Sequence, residues 1–176
     1  MINFVLSQIF GGIALILICI SYFTNKKKFL ILNIFADIFY GAGFIASFSL
    51  VAGINTFISI IRVIIIYFYE KKGKTTPLYY LFIFSFLYIT IGVIFYNNYW
   101  DIIPLITPIL FTIAMTPKEL IKVKYLTLIP NILIFIYNVF NGFYTSALLD
   151  LLETIVLIVS IITYHTKNKN KNQKIQ

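Results

Sequence analysis

Residues 13–40 read IALILICISYFTNKKKFLILNIFADIFY. An apolar run enters the block Lys26-Lys27-Lys28, and a second apolar run carrying one carboxylate, Asp37, leaves it. Neither flank alternates polar with apolar residues as a half-buried strand does, and neither has the broad polar face of a soluble amphipathic helix. About 20 consecutive apolar residues cross a bilayer as a helix. The stretch therefore predicts two membrane spans joined by a basic turn.

The same grammar continues outward. Hydropathy with charge punctuation predicts spans at about 4–23, 29–50, 54–69, 78–96, 101–115, 119–140 and 143–165, and a basic tail over 167–176. Gly53, Asn97-Asn98 and Asn141-Gly142 are expected turns. Thr76-Pro77 reads as an N-cap followed by proline at the first helical position. Thr116 with Glu119 has capping-box spacing. The fifth span is short, so a bent or re-entrant segment, leaving six spans, stays open. The composition agrees: of 176 residues, 60% are hydrophobic and only 11% charged, against about 25% charged in soluble domains. That balance excludes a soluble globule and a disordered chain, and one Cys excludes a disulfide scaffold. The N-terminus lacks the basic region and small-residue cleavage site of a secretory signal, so it is expected to remain as the first helix.

The net charge of +8 is a topology signal rather than a sign of nucleic acid. All 14 basic residues are lysines except Arg62. The lysines follow spans one, three, five and seven, and the intervening turns have none. With seven spans every cluster falls on one face; with six they would be split. The positive-inside rule then predicts the bacterial inner (cytoplasmic) membrane, with the N-terminus outside and the C-terminus in the cytoplasm. Spans one to three and five to seven also share a layout of helix, basic turn, long helix, short uncharged turn and lysine-ended helix. The expected fold is an all-α membrane protein of two parallel three-helix repeats joined by a linker helix, the 3+1+3 arrangement seen in transporters.

Ionisable residues inside a bilayer cost about 2.5–3.5 kcal/mol each on insertion scales, and are functional candidates by default. Asp37 lies nine residues after Lys28 and Arg62 nine before Lys71, each about 13.5 Å deep at the helical rise. They are expected to pair at one level. Asn55, Ser59 and Arg62 form a stripe on span three, Asn33 and Asp37 on span two, Asn131 and Asn138 on span six. Asp150, Glu153 and Thr154 share a face of span seven, with Glu153 and Asn138 about 21 Å deep. The candidate substrate-binding or gating residues are thus Asp37, Asn55, Arg62, Asn138, Asp150 and Glu153. Pro104, Pro108 and Pro130 are candidate hinges. The other reading of the same stripes is interhelical hydrogen-bonding glue. Gly11-Gly12 and Gly41-x-Gly43 are expected to allow close helix packing. No metal-ligand cluster, nucleophile triad or phosphate loop occurs, so no catalytic residue, metal or cofactor is expected, and the protein is not expected to be an enzyme.

Pro104, Asn138 with Phe140 and Gly142, Asp150, Ile161-Ile162 and Ile61-Arg62 resemble the YgjV family of small bacterial inner-membrane proteins. The resemblance covers most of the chain and is clearest over 104–150. That family is itself distantly similar to the seven-helix SWEET and PnuC transporters. The resemblance implies facilitated movement of a small polar solute between the triple-helix units. The expected partners are the lipid bilayer and an unidentified small solute, with no nucleic acid; oligomerisation stays open. The alternative is a non-transporting membrane protein, such as a receptor, assembly factor or partner subunit, whose polar networks are structural.

Overall fold

The computed structural model describes residues 2–46, 50–96 and 99–173. Among the described residues the chain forms α1 (Ile2–Ser21), α2 (Lys26–Ala46), α3 (Leu50–Lys71), α4 (Leu78–Ile94), α5 (Ile102–Met115), α6 (Leu120–Phe140) and α7 (Tyr144–Gln173), with a 3₁₀ turn at Tyr99–Asp101 before α5 and no strand. Four segments are long and apolar enough to cross a membrane: Lys26–Ala46, Ala52–Lys71, Leu120–Phe140 and Ser146–Lys167. Val5–Ser21, Leu78–Ile94 and Ile102–Met115 are shorter apolar helices. The fifth helix has 14 residues, about 21 Å at the helical rise. Outward-facing positions are apolar: Phe57, Phe82, Phe86 and Val93 are each 64–70% exposed. A soluble monomer does not present so continuous an apolar surface to water.

Several expected boundaries move. Gly53 lies inside α3, not in a turn. An unbroken apolar run with no charge punctuation cannot place that corner, and the link at 47–49 lies outside the described residues, as does the expected break at Asn97-Asn98. Pro77, not Thr76, is the N-cap of α4, at φ −62° and ψ 143° with no side-chain cap bond. The capping box expected at Thr116 and Glu119 also fails to form. Glu119 is the N-cap of α6, without a side-chain cap. Thr116 Oγ1 instead donates back to Ile113 O at 2.8 Å, serving the end of α5. α7 continues through Lys167 to Gln173, into the stretch expected to be tail. Asn141-Gly142 does turn the chain, with Gly142 at φ +75°, a conformation that suits glycine because it lacks a Cβ.

Each helix packs on the next along the chain within α1–α3 and within α5–α7, α7 returns to α1, and α3 reaches α5. α4 occupies the seam between α3 and α5, burying Phe84 and Tyr88 there. Among the described residues the larger apolar cluster brings together α1 (Ala14, Ile18), α2 (Phe29, Leu30), α3 (Val63, Ile66), α5 (Met115), α6 (Val123) and α7 (Leu157), and a smaller one joins Ile58 of α3 to Phe84 and Tyr88 of α4. In lipid the hydrophobic effect does not drive helices together, so this fit acts through dispersion contacts and close approach. Gly43 provides one such approach: a Cβ there would lie 3.3 Å from Ser7 O on α1. Gly41 faces Thr56 of α3. Gly11 and Gly12 have nothing near enough to demand glycine, contrary to the expectation for that pair.

The basic turns converge on one end of the bundle. Lys26, 7% exposed, is 3.9 Å from the Glu70 carboxylate and donates to Met115 O at 3.2 Å and to Pro117 O. A cation is thus seated on the carbonyls that end α5, where the helix dipole favours it. Lys118 Nζ donates to Gly73 O at 3.3 Å, and the Tyr125 hydroxyl meets His165 Nε2 at 2.7 Å. At the opposite end Trp100 stacks on Phe140, ring centroids 5.0 Å apart.

Candidate functional site

Arg62 sits midway along α3 and is 3% exposed. Its guanidinium is held from two sides. Nη1 donates to Thr112 Oγ1 at 3.0 Å and to Pro108 O at 3.2 Å on α5. Nη2 donates to Ser59 Oγ at 2.8 Å, one turn earlier on α3. Ser59 Oγ in turn donates to Asp37 Oδ2 at 2.8 Å on α2. The depths derived from helical rise are therefore consistent with Asp37 and Arg62 at one level, but the expected direct pair is corrected: Ser59 stands between them. A hydroxyl can accept one bond and donate another, so it relays the interaction while keeping the charges apart.

The prolines shape this centre. Pro108 lies inside α5, and its own carbonyl accepts both the Thr112 hydroxyl at 2.7 Å and the guanidinium. Pro104 lies in the first turn of α5, where a missing N–H costs nothing. Pro130 is buried inside α6. On the α4 side, the Arg62 Cζ lies 6.0 Å from the centre of the Tyr88 ring. Three buried polar atoms have no hydrogen-bond partner among the described residues: Arg62 Nε, Tyr88 hydroxyl and Asn55 Oδ1. An unpaired buried group costs about 1–3 kcal/mol, so three on α3 and its neighbour α4 stand out. A cavity of about 10 Å³ adjoins Arg62, lined by Thr112 and Thr116 of α5, Tyr80 and Phe84 of α4, and Thr76 before it. That is room for one water or one ligand oxygen.

The remaining candidates lie on α6 and α7. The expectation that Glu153 shares the depth of Asn138 is corrected: Glu153 stands level with Asn131, two turns nearer the basic end, and it is Asp150 that meets Asn138. Glu153 Oε1, on α7, accepts the Tyr22 hydroxyl at 2.6 Å from the end of α1 and Asn131 Nδ2 at 3.0 Å from α6. Asp150 Oδ2, one turn earlier on α7, accepts Asn138 Nδ2 at 2.7 Å from α6. Thr154 does not join the carboxylates; its hydroxyl bonds Asp150 O at 2.8 Å within its own helix. Asn33 donates to Ser21 Oγ at 3.3 Å and Phe29 O at 2.9 Å, tying α2 to α1. The six candidates thus fall into one group at α2 and α3 and another at α6 and α7.

Tyr22, Tyr88, Thr112 and Lys26 were not singled out in the sequence. Tyr22 and Tyr88 are two of 13 tyrosines, and Thr112 is a threonine in an apolar helix, so composition carries no signal for them. Lys26 served only as a topology marker, although it alone of its block is buried. Spacing does hold a faint signal for Thr112, four residues after Pro108, the distance at which a hydroxyl reaches a carbonyl on its own helix.

The sequence model of a bacterial inner membrane protein family, Imp-YgjV, matches residues 5–168. No curated protein and no solved structure matches the chain, so the expected similarity to SWEET and PnuC transporters finds no counterpart there.

Proposed function

The chain belongs to this family of bacterial inner membrane proteins, and from that premise we propose that it is a facilitative transporter of a small polar solute working by alternating access. The observation that carries the reading is the placement of Asp37, Arg62, Asp150 and Glu153. All four are charged residues in otherwise apolar helices, each bonded to a neighbouring polar side chain within the bundle and none fully exposed on the lipid side. Ionisable groups that face a bundle interior at this depth are, by their insertion cost, candidates for solute and ion pathways. In this reading α1–α3 and α5–α7 are the two repeats, α4 links them, and Pro108 and Pro130 permit the bending that exchanges access. The basic end faces the cytoplasm, with the N-terminus outside.

Reconstitution into proteoliposomes tests it directly. Uptake of at least one class among radiolabelled sugars, nucleosides and vitamins should exceed that of empty vesicles. No uptake of any class by folded protein would refute transport. A C-terminal green fluorescent protein fusion should fluoresce, and a C-terminal alkaline phosphatase fusion should be inactive, if the basic end is cytoplasmic.

A second reading has one specific observation in its favour. Both carboxylates of α7 accept amide or hydroxyl donors, and the cavity at Arg62 is only water-sized. A non-transporting subunit held together by polar contacts, worth about 0.6 kcal/mol each in membranes, would look like this at the α6–α7 centre. It leaves the unpaired atoms around Arg62 without a role.

A further inference from the structure

We propose that Arg62 and Tyr88 form an anion-binding site between α3, α4 and α5, reached from the basic end of the bundle, and that the transported solute carries an anionic oxygen group. Calling that group part of a solute rests on the transport reading; the binding site itself does not.

Arginine offers five N–H donors in a fixed fork. Those engaged here sit on Nη1, toward α5, and on Nη2, toward Ser59 of α3 itself. The Nε edge has no partner among the described residues, and neither has the hydroxyl of Tyr88, whose ring centre lies 6.0 Å from Cζ, although Arg62 is 3% and Tyr88 2% exposed. Unpaired donors this deeply buried call for an acceptor. A planar, weakly hydrated guanidinium suits carboxylate or phosphate oxygens. Asp37 does not fulfil that need, because it reaches the guanidinium only through Ser59 on the α2 side.

The cavity supplies the approach. Arg62 of α3, Thr112 of α5 with Thr116 at its end, Phe84 and Tyr80 of α4, and Thr76 before it line this water-sized void, while Tyr88 lies outside the lining, its ring centre 6.0 Å from Arg62 Cζ. Thr76 follows the exposed Lys71, Lys72 and Lys74, and Lys118 reaches over to Gly73 O. A ring of lysines at the mouth raises the local concentration of anions. At about 10 Å³ the cavity admits one oxygen, the tip of the group rather than a whole solute.

The test is thermal melting of the purified full chain in detergent, with sodium phosphate or sodium acetate against sodium chloride at matched ionic strength. At least one of the two oxyanions should raise the melting temperature by a few degrees and saturate. Response to acetate alone identifies a carboxylate group and response to phosphate alone a phosphoryl group. Tyr88→Phe should melt like the wild type without anion, because its hydroxyl has no bond to lose, yet bind roughly tenfold more weakly. Arg62→Lys should lose the response as well. No rise with either oxyanion, or an undiminished rise in Tyr88→Phe, overturns the site. An anion response without uptake in proteoliposomes refutes transport and leaves the site intact. Uptake of a neutral solute with no anion response does the reverse.

Discussion

The Arg62 centre and the Glu153 centre are both built of polar side chains deep in apolar helices, yet they are finished differently. At Glu153 the accepting oxygen is matched by two donors from two other helices, and the α1–α7 seam is fastened there. At Arg62 the cation is anchored on two sides and left open on the third, beside a cavity and a tyrosine whose hydroxyl is unpaired. The first arrangement is what helix association requires. The second leaves free energy unused that a ligand can recover, and the contrast separates a fastening from a receptor surface more clearly than depth or charge does.

Substitutions can break that contrast or sharpen it. Arg62→Ala carries the largest expected effect, because it strands the Ser59–Asp37 carboxylate without its cation. Breaking a buried pair from one side costs about 3–5 kcal/mol, read as a drop in melting temperature and in folded yield. A variant that melts like the wild type would show that the open side of the centre reflects weak coupling throughout. Tyr22→Phe should cost about 1.5–3 kcal/mol, the range for a hydrogen bond to a charged group, in the same assay. Its counterpart Tyr88→Phe should leave the melting temperature unchanged or raised, so two chemically identical changes at the two centres should separate. Equal losses would erase the distinction.

Gly92→Ala probes how firmly α4 is held over Arg62. A Cβ at position 92 would come 2.6 Å from Leu105 Cδ1, and overpacking of this kind costs about 1–3 kcal/mol. Adding Leu105→Ala should recover part of that loss if the α4–α5 seam is the cause. The smallest effect is expected for Glu119→Gln. The Glu119–Lys122 pair is 3.0 Å long with both side chains more than 60% exposed, so its loss should cost less than about 0.5 kcal/mol. It calibrates what a charge pair is worth outside the bundle.

Much of this was legible from residue order alone, for identifiable reasons. Apolar run length predicts a helix because a backbone in hydrocarbon must satisfy its own hydrogen bonds, and seven helices follow. The lysine blocks predict a common end, and the contacts of Lys26 with Glu70 and of Lys118 with Gly73 bring three of them together. Asp37 and Arg62 could be set at one depth because helical rise is constant. What failed were choices between near-equal local options. Thr76 and Thr116 each had cap chemistry, but Pro77 took one cap position and a carbonyl at the end of α5 took the other hydroxyl. Gly11-Gly12 and Gly41-x-Gly43 look alike in sequence, and only the second pair meets a neighbour.

The sequence by itself determined the solvent, the helices and the end at which the positive charge collects, since these follow from run length and residue type without reference to any partner. The tertiary structure decided which polar groups meet. Whether Asp37 touches Arg62 or Ser59 depends on helix rotation and crossing, set by side-chain fit among α2, α3 and α5. The same fit left Arg62 Nε and the Tyr88 hydroxyl unpaired while giving Glu153 two donors. Hydrogen-bond satisfaction turns on sub-ångström geometry between helices distant in the chain, and no periodicity within one helix encodes it.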